Sequence, residues 1–116
     1  MSQVTIYHNP RCSKSRQTLA LLKEQGIEPD IREYLKDAPS ATELTQVLDS
    51  LGLSARALLR KNEAEYKENN LSNPELTDEQ IISVMVANPK LIERPIVLKD
   101  GKARIGRPPE SVLEIL

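Results

Sequence analysis

The stretch from Val4 to Tyr34 limits most strongly what this chain can fold into. It holds a short apolar run, Val4 to Tyr7, then the polar loop His8-Asn9-Pro10-Arg11-Cys12. A helix-forming segment follows from about Ser13 to Gln25, and then an apolar-polar stretch near Pro29 to Tyr34. Leu19 and Leu22 lie on one side of the expected helix, and Gly26 is placed to close it as a C-cap. Strand, helix and strand over this distance make a βαβ unit. The right-handed crossover rule makes its two strands parallel neighbours with the helix on one face.

The loop inside that unit contains the only cysteine and the only histidine of the chain, Cys12 and His8. Cys12 is expected at the C-terminal edge of the first strand, where α/β sheets usually bind ligands, and at the first turn of a helix. There the backbone N–H groups are unpaired and the dipole presents about half a positive charge. Such sites, with nearby cations, lower a thiol pKa from about 8.5 into the range of roughly 3.5 to 7.5. Arg11, Lys14, Arg16 and His8 are the local sources of charge. A lone cysteine is more often a small buried hydrophobe. The polar and cationic neighbours on both sides of Cys12 predict an exposed, reactive thiol instead.

From residue 39 to residue 88 the pattern becomes helix after helix. Leu44, Val47, Leu48 and Leu51 draw an apolar stripe behind Ser40 as N-cap, and Gly52 ends that helix. Ser54 can cap a short helix through Leu59, and Glu63 to Asn69 can form another turn or two. Thr77 to Gln80 reads as a capping box ahead of a buried face of Ile81, Ile82, Met85 and Val86. The block is an all-helical insertion. After it, Pro95 to Lys99 and Lys102 to Ile105 flank Asp100-Gly101, a strong signal for a type I′ hairpin. The chain closes with a short helix expected to turn Val112, Leu113 and Leu116 inward. The sum is βαβ, helices, then ββα: an α/β domain with a core of about 1–38 and 89–116.

With a net charge of −1, this chain gives no global reason to bind nucleic acid. It has no Trp and no Phe, so aliphatic side chains must build its core. One cysteine forms no internal disulfide. With no export signal in the N-terminal residues and no apolar run of membrane-spanning length, a soluble cytoplasmic protein is expected. One Cys and one His also fall short of the three or four ligands of a metal site. A phosphatase-type anion loop would need an arginine six positions after the cysteine, and Thr18 is there.

Three arginines lie at expected element boundaries: Arg60, Arg94 before Pro95, and Arg107 before Pro108. A guanidinium presents a fixed fork of donors that suits tetrahedral oxyanions. Taken singly, each is more often a solvated surface charge. Together with a thiolate, they suggest a small oxyanion such as arsenate or phosphate as substrate.

The run His8 to Arg16, with Ala57 to Asn62, Arg94-Pro95-Ile96-Val97 and Arg107-Pro108, resembles the glutaredoxin-coupled arsenate reductase family over essentially the whole chain. Ser13-Lys14 after the cysteine, where many members have Gly-Thr, is similar to a sister group of that family. The resemblance implies a thioredoxin-like fold with a mixed four-stranded sheet and a cis Arg94-Pro95 bond. It implies Cys12 as nucleophile, Arg60, Arg94 and Arg107 as oxyanion ligands, and His8 and Ser15 as residues that favour the thiolate. It further implies arsenate as substrate, phosphate as a competing anion, glutathione as co-substrate, glutaredoxin as protein partner and no tightly bound cofactor. A chain with no second cysteine needs such an outside reductant. Two other readings share the fold: a redox-sensing partner of RNA polymerase, which usually carries Cys-x-x-Cys where this chain has Cys12 and Ser15, and a general glutathione-dependent thiol oxidoreductase.

Overall fold

The computed structural model describes residues 3–116. The chain divides into two compact units. The first comprises the chain up to Asp37 and the segment Arg94–Leu116; the second is Ala38–Glu93.

The first unit is built on strands β1 (Val4–Tyr7), β2 (Asp30–Arg32), β3 (Ile96–Lys99) and β4 (Lys102–Ile105), with helix α1 (Ser13–Glu24) between the first two. The sheet order is β2-β1-β3-β4. β1 and β2 are parallel, as the βαβ pattern requires, while β1 with β3 and β3 with β4 are antiparallel. The β3–β4 hairpin turns at Asp100 and Gly101, with φ of 53° and 77°. Two positive φ values in succession are the type I′ turn that Asp-Gly favours.

Alternation along β1 sends Val4 and Ile6 to one face. There they pack with Val97 of β3, Leu22 of α1, and Val112 and Ile115 of the closing segment. That segment, Pro109–Ile115, is a 3₁₀ helix. Its period of three aligns Pro109, Val112 and Ile115, all buried, and leaves Leu113 at the surface. The expected inward turn of Leu113 is thereby corrected: it assumed the wider α-helical period. Tyr7 and Tyr34 stack with ring centroids 6.5 Å apart, and the Arg32 guanidinium stands 5.6 Å above the Tyr7 ring.

The second unit holds α2 (Ala41–Leu51), α3 (Ala64–Glu68) and α4 (Asp78–Ala87), with 3₁₀ turns at Arg56–Leu58 and Pro89–Leu91. Full capping boxes start two of its helices, Ser40 with Glu43 and Thr77 with Gln80, and Gly52 closes α2 in the left-handed conformation. The unit extends to Glu93, beyond the 88 expected from helix patterning, because the 3₁₀ turn and the backbone bridge between Leu59 and Ile92 belong to it. That bridge is a long-range pairing with no local sequence signal.

Candidate active site

Strand direction decides what meets at one end of the sheet. β1 and β2 both end there, so the loop after β1 and the turn after β2 are neighbours. β3, antiparallel to β1, begins there, and β4 ends there. Cys12, Arg94 and Arg107 therefore come to a common edge, although up to 95 positions of sequence separate them.

Cys12 is the N-cap of α1. Sγ makes no full-geometry capping bond, yet the positive ends of the first-turn N–H groups act on it. Burial pushes the thiol pKa up; the N–H of Ser15, the charge of Arg94, the N–H of Lys14 and a hydrogen bond from Arg94 outweigh it, and the thiol is held below its ordinary value. Arg107 Nη2 stands 3.7 Å from Sγ, and its Nε donates to the Arg94 carbonyl at 2.8 Å. The Arg107 guanidinium is thus held on the Arg94 backbone, and both side chains act on the sulfur.

Two expectations are corrected here. Cys12 is 9% exposed rather than open to solvent. The cations that act on it are also not the adjacent side chains. Lys14 contributes through its backbone N–H, and Arg16 Nη1 is spent on the Pro10 carbonyl at 2.9 Å. The charge comes from Arg94, just before β3, with Arg107, just after β4, beside the sulfur, which no local reading of residues 8–16 could supply.

His8 and Ser15 are both buried and joined, His8 Nδ1 to Ser15 Oγ at 2.6 Å, and the Asn9 N–H donates to the same oxygen at 3.0 Å. Burial lowers the His8 pKa below 6.5; Glu33 raises it, Arg16 and Lys23 lower it, and the net is downward. Burial thus disfavours the charged ring, and what His8 gives the loop is this hydrogen bond. Ser15 reaches Cys12 by its N–H while its hydroxyl holds the loop.

The Arg94–Pro95 bond is cis, as the resemblance implied, and so is Arg107–Pro108. Arg60 belongs to the second unit. There it pairs with Glu63 at 2.8 Å and donates to the Lys90 carbonyl at 3.2 Å. Sequence reasoning missed Gly106 and Thr18. A Cβ on Gly106 would stand 2.5 Å from Thr18 Oγ1 and 2.8 Å from Pro95 Cγ, so only glycine lets the Arg107 loop lie against α1. The spacing of Ser15, Thr18 and Leu22 could have marked Thr18 as inward-facing. Among the described residues no cluster of ligating side chains could hold a metal, and no helix is long and apolar enough to cross a membrane.

The mixed four-stranded sheet, with one cysteine capping the helix after β1, defines a thioredoxin-like thiol site. The chain belongs to the ArsC family, whose model matches residues 7–115. It is 59% identical over 115 residues to Uncharacterized protein YfgD of Escherichia coli (strain K12), covering 98% of this chain and 97% of that one. It is 47% identical over 116 residues to an arsenate reductase of the same strain, covering 100% of this chain and 82% of that one. A solved arsenate reductase from Vibrio cholerae superposes with a TM-score of 0.96 at 55% identity, over 98% of each chain.

Proposed function

We propose that this protein reduces arsenate to arsenite, with Cys12 as nucleophile and with glutathione and glutaredoxin supplying the electrons. The observation that carries the reading is Arg107 at 3.7 Å from a sulfur whose pKa is already lowered, Arg94 acting on the same atom. A nucleophile and anion-binding donors at one point are what a thiol needs to attack an oxyanion. The likeness to arsenate reductases, at 47% identity for one of them, supports the choice of arsenate.

The chemistry runs in balanced steps. The Cys12 thiolate bonds to arsenic(V) and one oxygen leaves as water. The glutathione thiol condenses with the adduct and a second oxygen leaves as water. A glutaredoxin thiolate then attacks the glutathione sulfur, forming a mixed disulfide and leaving two electrons on arsenic, now As(III). Water splits the Cys12–arsenic bond, releasing arsenite and the free thiol. Arg94 and Arg107 hold the anion's oxygens; phosphate, of like shape and charge, competes for them. His8 and Ser15 position the loop. The setting is the cytoplasm, where thiols stay reduced.

The test is arsenate-dependent NADPH consumption in an assay coupled to glutathione, glutathione reductase and glutaredoxin. Turnover is expected for the native chain and none for Cys12→Ala. A native rate no higher than that of the Cys12→Ala control refutes the assignment.

A further inference from the structure

Resting on the arsenate reductase reading, we propose that a cleft beside the Cys12 loop seats the thiol co-substrate, glutathione. The cleft has a volume of about 270 Å³ and is lined by residues that include His8, Pro10, Arg11, Glu33, Leu35 and Lys36. That is close to the roughly 300 Å³ at which small-molecule clefts begin.

Position is the first argument. The Cys12 loop follows β1. Glu33, Leu35 and Lys36 follow β2 on one side of it, while Arg94 and Arg107 come from β3 and β4 on the other. An anion held by the arginines leaves the β2 side open to a second thiol. That thiol must reach the arsenic without displacing the groups that bind the oxygens.

Charge is the second argument. Glutathione carries two carboxylates and one ammonium, and the cleft offers two cations, Arg11 and Lys36, and one carboxylate, Glu33. Lys36 and Glu33 stand 3.8 Å apart, with side chains 82% and 43% exposed. Exposed pairs of this kind are weak, so a ligand can exchange them for its own charges. Leu35, 40% exposed, gives an apolar wall for the peptide.

The frame is already fixed. The N–H groups of Lys36 and Asp37 both bond to the Glu33 carbonyl at 2.9 Å, and the Arg11 N–H bonds to Asn9 Oδ1 at 3.0 Å. What ordering remains on binding falls to the exposed side chains of Arg11 and Lys36. A larger cleft beside Lys23, Glu28 and Ile31 has a single cation, and Gly26 to Pro29 in its wall precede β2, at the end of that strand away from Cys12.

The experiment titrates the ¹⁵N-labelled full chain with S-methylglutathione, which cannot react, and follows the amide resonances. Saturable shifts are expected at Asn9, Arg11, Leu35 and Lys36, persisting in saturating phosphate. Arg11→Glu and Lys36→Glu should each weaken binding by about fivefold, as expected for one exposed charge contact. The same spectra report whether each variant is folded. Shifts centred on Arg94 to Ile96 or Gly106, no saturable shift, or unchanged affinity in both variants would overturn the proposal. So would a response of these residues to reduced glutaredoxin but not to the tripeptide. Shifts as expected with no arsenate turnover would remove the enzymatic reading and leave the cleft; turnover without these shifts would do the reverse.

Discussion

At the scale of the residue, Cys12 is under two opposed influences. Burial favours the neutral thiol, while N–H groups and a guanidinium favour the charge, and the second set prevails. The alkylation rate of Cys12 against pH should accordingly show a midpoint below that of an ordinary thiol, and Arg94→Ala should move it upward, since both the charge and the hydrogen bond of that side chain are lost. A midpoint unmoved by Arg94→Ala would show that the guanidinium does not act on the sulfur. The sign for stability follows from linkage. A folded pKa below the unfolded one gives a contribution fully present above the unfolded value and lost as pH falls through the folded pKa. Urea midpoints of the native chain should therefore fall, relative to Cys12→Ser, as pH is lowered across that interval. The reactive residue was legible in the sequence because its loop is local. Arg94 and Arg107 stood out there as anion-binding candidates, but their action on the sulfur itself was not legible, because it crosses from other strands, and the adjacent cations that pattern reading favoured are not among the charges that lower its pKa.

At the scale of the element, the inward face of α1 is Ser15, Thr18 and Leu22, all buried. Its polar half is satisfied: Ser15 Oγ by His8 and Asn9, and Thr18 Oγ1 by donating to the Lys14 carbonyl at 2.8 Å. Gly106 lies against this face. Gly106→Ala should destabilise the protein by about 1–3 kcal/mol, the usual cost of overpacking, and Thr18→Ala in the same chain should recover part of the loss. Urea denaturation of the single and double variants measures both, and additive effects would show that the two positions do not touch. Capping and turn chemistry were readable in advance, at Thr77 with Gln80 and at Asp100-Gly101, because each motif is closed within four residues or fewer. The period of the closing segment was not, since short α and 3₁₀ turns of Pro109–Ile115 carry the same residue types.

At the scale of the whole molecule, the chain passes between its two units at Asp37–Ala38 and Glu93–Arg94. In the helical unit Arg56 acts as a strap: Nη1 donates to the Leu71 carbonyl at 2.7 Å and Nη2 to the Asn73 carbonyl at 2.8 Å. Arg56→Ala should cost about 1–3 kcal/mol, the range for leaving buried polar partners unmade, and should speed amide exchange in the segment around Leu71 to Asn73 before it reaches β1 or β3. Equal protection in the variant would rule out the strap. By itself the sequence determined the strand-loop-helix that makes Cys12 an N-cap, the hairpin, the helix boundaries and the single thiol, because each depends on residues within one or two turns of one another. Only the tertiary structure decided the burial of the sulfur and of His8, the hydrogen bond of Arg107 to the Arg94 carbonyl and the requirement for glycine at 106. Those depend on which strands lie side by side and on how closely their ends approach, and such distances are set by packing between residues far apart in the chain.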